Sequence, residues 1–246
     1  MILELDCGNS SVKWRVITVS DGSLVAQGVA VQPVDMVRDL SDQCARNISR
    51  CRLVSVRGDA ETGEMANLIS ESLGIDVARV CASAATAGVV NGYYDQQRLG
   101  ADRWLAIIAA YEMCRGACLV IDLGTAITVD LVGQDGVHLG GYITPGIALL
   151  RSQLLAHTRR VHYSPAEVGA ALANSAPGRS TAEGVERGCL TMVRSYVVTQ
   201  IGFAGDRLGK DITVYVTGGD AALVSDLPGV RCVSDLVFRG LAIACP

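Results

Sequence analysis

Leu119-Val120-Ile121-Asp122-Leu123-Gly124-Thr125-Ala126-Ile127-Thr128-Val129-Asp130-Leu131-Val132 is the stretch whose reading decides the fold. Two apolar runs flank an Asp-x-Gly-Thr turn, with no room for a helix between them. The pattern predicts a hairpin whose second strand alternates Thr128 and Asp130 with apolar residues. Gly124 permits backbone geometry that other residues resist, so amides at the turn can converge on one oxyanion. The plainer alternative is a buried hairpin with a polar tip.

The N-terminus repeats the pattern. Met1-Ile2-Leu3-Glu4-Leu5-Asp6-Cys7-Gly8-Asn9-Ser10 runs into Val12-Lys13-Trp14-Arg15-Val16-Ile17-Thr18-Val19. Asp21-Gly22 follows Asp6 by 15 residues (21−6), and Asp135-Gly136 follows Asp122 by 13 (135−122). Each Asp-Gly is a turn signal before a third strand, at 24–31 and 137–144. Two three-strand meanders, each opening on an acidic glycine turn, point to internal duplication, with halves at residues 1–115 and 116–246.

Composition narrows the chemistry. The 246 residues are 50% hydrophobic, enough for a sizeable core, and carry a net charge of −4, which gives no electrostatic case for nucleic acid. Lys13 and Lys210 are the only lysines, and no P-loop lysine motif exists, so a nucleotide must be held in another way. Glu4 and Asp6 inside the first strand argue against a signal peptide, and no apolar run approaches the ~20 residues needed to span a bilayer. Nine cysteines without a C-x-x-C pair, and only three histidines, make a zinc site improbable. Most of these thiols are expected to be small core residues in a reducing cytoplasm, Cys7 among them.

Along the chain, 35–50 has helical spacing, with Val37, Leu40, Cys44 and Ile48 on one stripe. A strand is expected at 52–56, a helix at 61–73, a strand at 77–82 and a loop over a site at 83–94. Leu99-Gly100-Ala101-Asp102-Arg103-Trp104 opens a helix over 105–114, so the first half is βββαβαβα. The second half repeats this less cleanly: a helix at 147–156, an irregular stretch at 161–181, a long helix at 182–203, a strand at 211–216 ending in Thr217-Gly218-Gly219-Asp220, and a C-terminal apolar helix. On the residues alone, Asp102 is an N-cap paired with arginine, Arg103 a surface or interdomain ion-pair partner, Lys13 an exposed strand charge and Asp122 a turn-capping carboxylate. Thr181 is likewise the cap of the long helix.

A duplicated α/β fold of βββαβαβα halves, ribonuclease H-like in topology, resembles the superfamily of actin-like ATPases, Hsp70 and acetate and sugar kinases, built around a nucleotide cleft. The finer set is similar to type III pantothenate kinase: Asp6-Cys7-Gly8-Asn9-Ser10, Gly100-Ala101-Asp102-Arg103, Asp122-Leu123-Gly124-Thr125-Ala126, Gly140-Gly141-Tyr142-Ile143-Thr144-Pro145-Gly146 and Thr217-Gly218-Gly219-Asp220. Each motif is weak alone, and together, in this order, they are specific.

The resemblance implies ATP-dependent phosphorylation of pantothenate to 4′-phosphopantothenate, the first step of coenzyme A biosynthesis, in the cytoplasm. It implies that Asp6 holds a hydrated Mg²⁺, that Asp6, Cys7, Gly8, Asn9, Ser10, Ser11, Val12 and Lys13 cradle the ATP phosphates, and that Thr125 does so from the other half. Asp122 would help bind a monovalent cation, K⁺ or NH₄⁺. Asp102 would be the general base, with Tyr93, Gly100, Ala101 and Arg103 around the acceptor. Tyr93 stands seven residues before Gly100 (100−93), as in the family, although Gln96 replaces the proline often found three residues after it. Thr181 would reach the acceptor site of the other subunit of a homodimer, whose close packing Gly184 and Gly188 would allow. No membrane or nucleic-acid partner is implied. A related kinase for another small hydroxylated acceptor and a non-enzymatic transcriptional accessory factor are the alternatives; the acidic charge and the set Asp6, Asp102 and Asp122 weigh against the second.

Overall fold

The computed structural model describes residues 1–41 and 47–246 and divides into two compact units. The first comprises Met1–Arg115, Gly136–His138 and Asp235–Pro246; the second comprises Gly116–Asp135 and Leu139–Ser234.

The first unit opens with β1 (Ile2–Cys7), β2 (Val12–Ile17) and β3 (Leu24–Ala30), followed by α1 (Pro33–Ser41), β4 (Arg50–Ser55), α2 (Asp59–Leu73) and β5 (Asp76–Val80). The sheet order is β3-β2-β1-β4-β5, with β1 antiparallel to β2 and parallel to β4. The Asp21-Gly22 turn forms as expected. Gly22 takes φ 71°, and the Thr18 hydroxyl and Ser23 amide donate to the Asp21 carboxylate, holding its pKa down at about 2. Of the stripe expected over 35–50, Leu40 and Ile48 are buried and Cys44 lies outside the described residues. Arg50, assigned to that helix from its spacing, instead begins β4.

The segment 83–94 is not wholly loop. It contains the two-residue strands β6 (Ala85–Thr86) and β7 (Val89–Val90), joined by Ala87 and Gly88, both at positive φ. A positive φ at both central residues is what a tight hairpin turn demands. Next comes α3 (Ala101–Cys114), with Arg103 through Ala110 all buried.

In the second unit β8 (Cys118–Leu123), β9 (Ala126–Val132) and β10 (His138–Pro145) form the second meander. α4 (Ile147–His157), α5 (Pro165–Ala171), α6 (Thr181–Leu208), β11 (Thr213–Thr217) and β12 (Val230–Cys232) follow. Its sheet order, β10-β9-β8-β11-β12, repeats that of the first unit, so the duplication read from the Asp-x-Gly turns is structural. α5 corrects the expectation of an irregular 161–181: Ser164 and Glu167 form a reciprocal capping box with Pro165 in the first turn. The chain ends with α7 (Leu236–Ala244), which packs in the first unit, where a Cβ on Gly240 would collide with the Leu105 carbonyl of α3.

Each sheet alternates. Leu3, Leu5 and Cys7 join the core beneath α1 and α2, and Leu119, Ile121 and Leu123 join the core with α6. On the opposite face of β1, Glu4 is completely buried. Its carboxylate takes Arg15 Nε at 2.6 Å and Arg52 Nη1 at 2.8 Å. Arg15 also reaches Asp235 at 3.2 Å and stacks over Phe238 at 4.8 Å, joining the residues at the start of α7 to the strands. Glu4→Leu strands a buried guanidinium and should cost about 3–5 kcal/mol of stability. Replacing Glu4 and Arg52 together with leucine should recover most of it. Urea unfolding checks both, and an unchanged midpoint for Glu4→Leu would remove the network from the stabilising account.

Candidate active site

β1 delivers Asp6 to the rim of its sheet, and the chain turns through Gly8–Ser11 before β2 begins. Asp6 and Lys13 are cross-strand partners, with Lys13 Nζ 3.9 Å from Asp6 Oδ2. Lys13 is thus an exposed side chain held beside the acidic group, not an isolated strand charge. Asn9 and Ser10 are exposed on the turn and Ser11 is half-buried. Cys7 and Val12 point into the core; the Cys7 thiol lies 3.1 Å from Met65 Sδ, and burial, helped by the Asp6 charge, pushes its pKa up to about 12. Cys7 therefore packs, and its backbone is what it can offer a ligand. Of the eight described cysteines, all free thiols, Cys7, Cys51, Cys118 and Cys189 are buried, whereas Cys81 and Cys232 are exposed. Half, rather than most, are core residues.

Arg57 braces this turn and was not singled out from sequence. Its Nε donates to the Gly8 carbonyl at 2.8 Å, while Nη1 reaches Glu61 at 2.7 Å. Nothing in Val56-Arg57-Gly58 marks it, because the Gly8 carbonyl it braces lies far away in sequence.

The residues expected around the acceptor come together in the first unit. Arg103, 6% exposed, donates through Nη1 to the Tyr93 hydroxyl at 2.7 Å, and its guanidinium lies 5.6 Å from the Tyr93 ring centroid. His138 stacks on the same ring at 5.9 Å with planes 16° apart. Arg103 is therefore buried and not a surface residue, which corrects that part of its plainer reading. The cap of α3 is Gly100, with no side-chain bond, and Asp102 sits within the first turn, its Oδ1 accepting the Arg103 amide at 2.7 Å. Asp102 is therefore not an N-cap. A Cβ on Gly100 would press against Asp102 Oδ1, so glycine there makes room for the carboxylate. Ala101 is half-buried in the same turn.

In the second unit Asp122 is the penultimate residue of β8. Gly218 follows β11 at φ 95°, and a Cβ there would collide with both Asp122 Oδ1 and the Leu123 carbonyl. The Asp220 amide donates to the Leu123 carbonyl at 2.9 Å, and the Gly146 amide to the Thr125 carbonyl at 2.9 Å. The motifs at 122–126, 145–146 and 217–220, distant in sequence, thus meet at one rim with Thr125 exposed on it.

Gly124 does not use the backbone freedom that glycine permits: neither Gly8 nor Gly124 has positive φ, and the Gly124 amide closes the hairpin onto the Ala126 carbonyl at 3.1 Å. A Cβ at either glycine would make only ordinary contacts within the chain, 3.4 Å to Ser11 O and 3.4 Å to Asp122 Oδ1. Glycine leaves both turns bare, as close approach of a ligand to backbone requires.

Thr181 begins α6 and is exposed. The cap is Ser180, whose Oγ accepts the Glu183 amide at 3.2 Å, so the capping role expected of Thr181 belongs to its neighbour. The Arg179 amide, reinforced by Arg187, holds the Glu183 carboxyl below the usual range. Beside it runs a groove of about 540 Å³ between α4 and α6, lined by Leu154, His157, Gly184, Gly188 and Met192 among others.

No helix of the described residues is long and apolar enough to cross a membrane. Among the described residues no group of three or more His, Cys, Asp and Glu could hold a metal ion. A hydrated Mg²⁺ needs few protein carboxylates, so Asp6 suits that ion and no all-protein cage. The Asp122 carboxylate and the Leu123 carbonyl, both close to Gly218, are hard oxygen donors of the kind an alkali cation takes.

The family model described as type III pantothenate kinase matches residues 2–202. The type III pantothenate kinase of Pseudomonas savastanoi pv. phaseolicola is 52% identical, over 100% of this chain and 99% of that one. That of Pseudomonas aeruginosa strain LESB58 is 53% identical, with the same shares covered. Among solved structures, a Campylobacter jejuni protein designated a Baf family transcriptional activator superposes with a TM-score of 0.62 at 18% identity, over 98% of this chain and 95% of that one. MreB 5 of Spiroplasma citri bound to AMPPNP gives 0.50 at 10% identity, over 98% and 95%. At such identities the likeness speaks to fold alone: an actin-like α/β architecture with two five-stranded sheets.

Proposed function

The chain belongs to the type III pantothenate kinase family, and on that premise we propose which of its residues perform the reaction. The activity itself is the ATP-dependent phosphorylation of pantothenate to 4′-phosphopantothenate, the first step of coenzyme A biosynthesis. Asp102 is the general base: it takes the proton of the primary hydroxyl as that oxygen bonds to the γ-phosphorus. The bond to the β–γ bridging oxygen breaks, and ADP leaves with the electron pair. The observation that carries this reading is the Arg103–Tyr93 pair beside Asp102 in the first turn of α3. It is a compact set of charge, hydroxyl and carboxylate, with Gly100 and Ala101 leaving space at its edge.

The donor phosphates are held by the turn from Asp6 to Lys13, through the backbone of Cys7, Gly8, Ser11 and Val12 and the side chains of Asn9, Ser10 and Lys13, and by Thr125. Asp6 holds Mg²⁺ through water; when bound, the ion neutralises charge on the phosphates. Asp122 helps hold a monovalent cation, K⁺ or NH₄⁺. Residues 1–115 supply the first turn and the acceptor motif, and 116–246 the second turn and the helix used in dimer formation. The working form is a cytoplasmic homodimer in which Thr181 completes the partner's acceptor site. In support, Thr181 is free of the capping role, Gly184 and Gly188 leave an apolar groove, and Met192 and Phe203 on α6 are exposed.

Asp102→Asn should lower turnover by about 10²–10⁴-fold while ATP binding, followed by calorimetry, persists. Thr181→Lys should be equally inactive, and a purified heterodimer of the two variants should regain about half of wild-type activity, since symmetry leaves one intact site. Near-normal turnover of Asp102→Asn removes the base assignment; an inactive heterodimer removes the shared site.

Activity should also rise when Na⁺ is replaced by K⁺ or NH₄⁺ at constant ionic strength, and Asp122→Asn should blunt that rise. Equal rates in all three salts would leave Asp122 a structural carboxylate.

A further inference from the structure

Asn91 stands where the segment carrying Tyr93 crosses itself. It is 4% exposed, and its side chain is fully engaged. Nδ2 donates to the carbonyls of Ser83 at 3.1 Å and Gln96 at 3.2 Å, and Oδ1 accepts the Tyr93 amide at 3.0 Å. Its backbone amide donates to the Ala84 carbonyl at 2.9 Å. These partners lie on both sides of the β6–β7 hairpin, whose strands are two residues each and too short to shape the segment unaided. One carboxamide therefore ties 83–84 to 93–96, and with both donors and the acceptor satisfied it has a single orientation.

The contacts continue outward. Tyr93, whose amide Asn91 holds, accepts from Arg103 through its hydroxyl and stacks on His138 through its ring. Gln96, at the position where the resembled family often carries proline, begins a short 3₁₀ turn whose N-cap is Asp95.

We infer that Asn91 is a positioning residue for the acceptor site: by fixing Tyr93 it fixes the orientation in which Arg103 meets pantothenate. The inference rests on the assignment of Tyr93 and Arg103 to that site. Asn91 contacts neither the reacting atoms nor the nucleotide turns, so its loss should register on the acceptor and not on ATP. A purely structural asparagine would instead lower the melting temperature and leave both Michaelis constants alone.

The test is steady-state kinetics of the full-length protein with ATP and pantothenate varied separately, for Asn91→Leu, Asn91→Ser, Tyr93→Phe and Arg103→Lys. Asn91→Leu should raise the pantothenate KM about tenfold, with the ATP KM within about twofold of wild type. Asn91→Ser keeps a hydroxyl able to accept the Tyr93 amide, and should raise it about threefold. Added to Tyr93→Phe, which already releases Arg103, Asn91→Leu should show well under its full effect. If Asn91→Leu does not fold, Asn91→Ser decides in the same assay. An unchanged pantothenate KM in the Asn91 variants, with a raised one in Arg103→Lys, overturns the inference alone. An unchanged KM in all of them overturns the acceptor-site assignment and the inference with it.

Discussion

The structure of the first unit depends on one buried carboxylate. Glu4 lies on the central strand, and its cross-strand partners on the two sides are Arg15 of β2 and Arg52 of β4, the residues that supply its two ion pairs. A charge this deeply buried is tolerated only with partners, so pairing that moved either arginine away would leave it uncompensated. A slip of one residue would also turn the strand's apolar set outward. Register set at Glu4 holds two residues further along, where Asp6 faces Lys13 at the rim. The placement of the candidate phosphate turn is thus a consequence of an interaction inside the sheet.

The second unit reaches the same topology by other means. At the position matching Glu4 it has Val120, paired across the hairpin with the buried Asp130. Its rim is drawn together by absent side chains: Gly146 lies against the carbonyls of Gly124 and Thr125, and Gly218 against Asp122 and Leu123. Charged side chains brace the first turn, with Arg57 on the Gly8 carbonyl, while backbone contact braces the second. The duplicated chain kept its strand order and diverged in what stiffens each turn.

The acceptor motif shows how a local rule is outvoted by its surroundings. Asp102 and Thr181 both stand at helix starts, where short polar residues commonly cap, yet Gly100 and Ser180 occupy the capping positions. Neither is therefore the cap of its helix. Arg103 is buried beside Tyr93, which supplies both a hydroxyl for its nitrogen and a ring face for its guanidinium. Asn91 performs the matching service for Tyr93.

By itself the sequence determined what depends on neighbours along the chain. The meanders followed from alternation and Asp-Gly turns, the duplication from two Asp-x-Gly turns at matching offsets, and the family from five short motifs in order. These signals are local, so they survive without knowledge of the fold. The capping box of α5 was equally local, and was passed over because Ala, Gly and Ser around it mask any apolar period. Only the tertiary structure decided what depends on segments far apart. It gave Glu4 to Arg52, put Arg57 under Gly8, moved α7 into the first unit and brought Gly218 against Asp122. A hydrogen bond between residues dozens of positions apart has no period and no motif. It exists only once the chain has folded and the cost of leaving a buried polar group unpaired has chosen its partner.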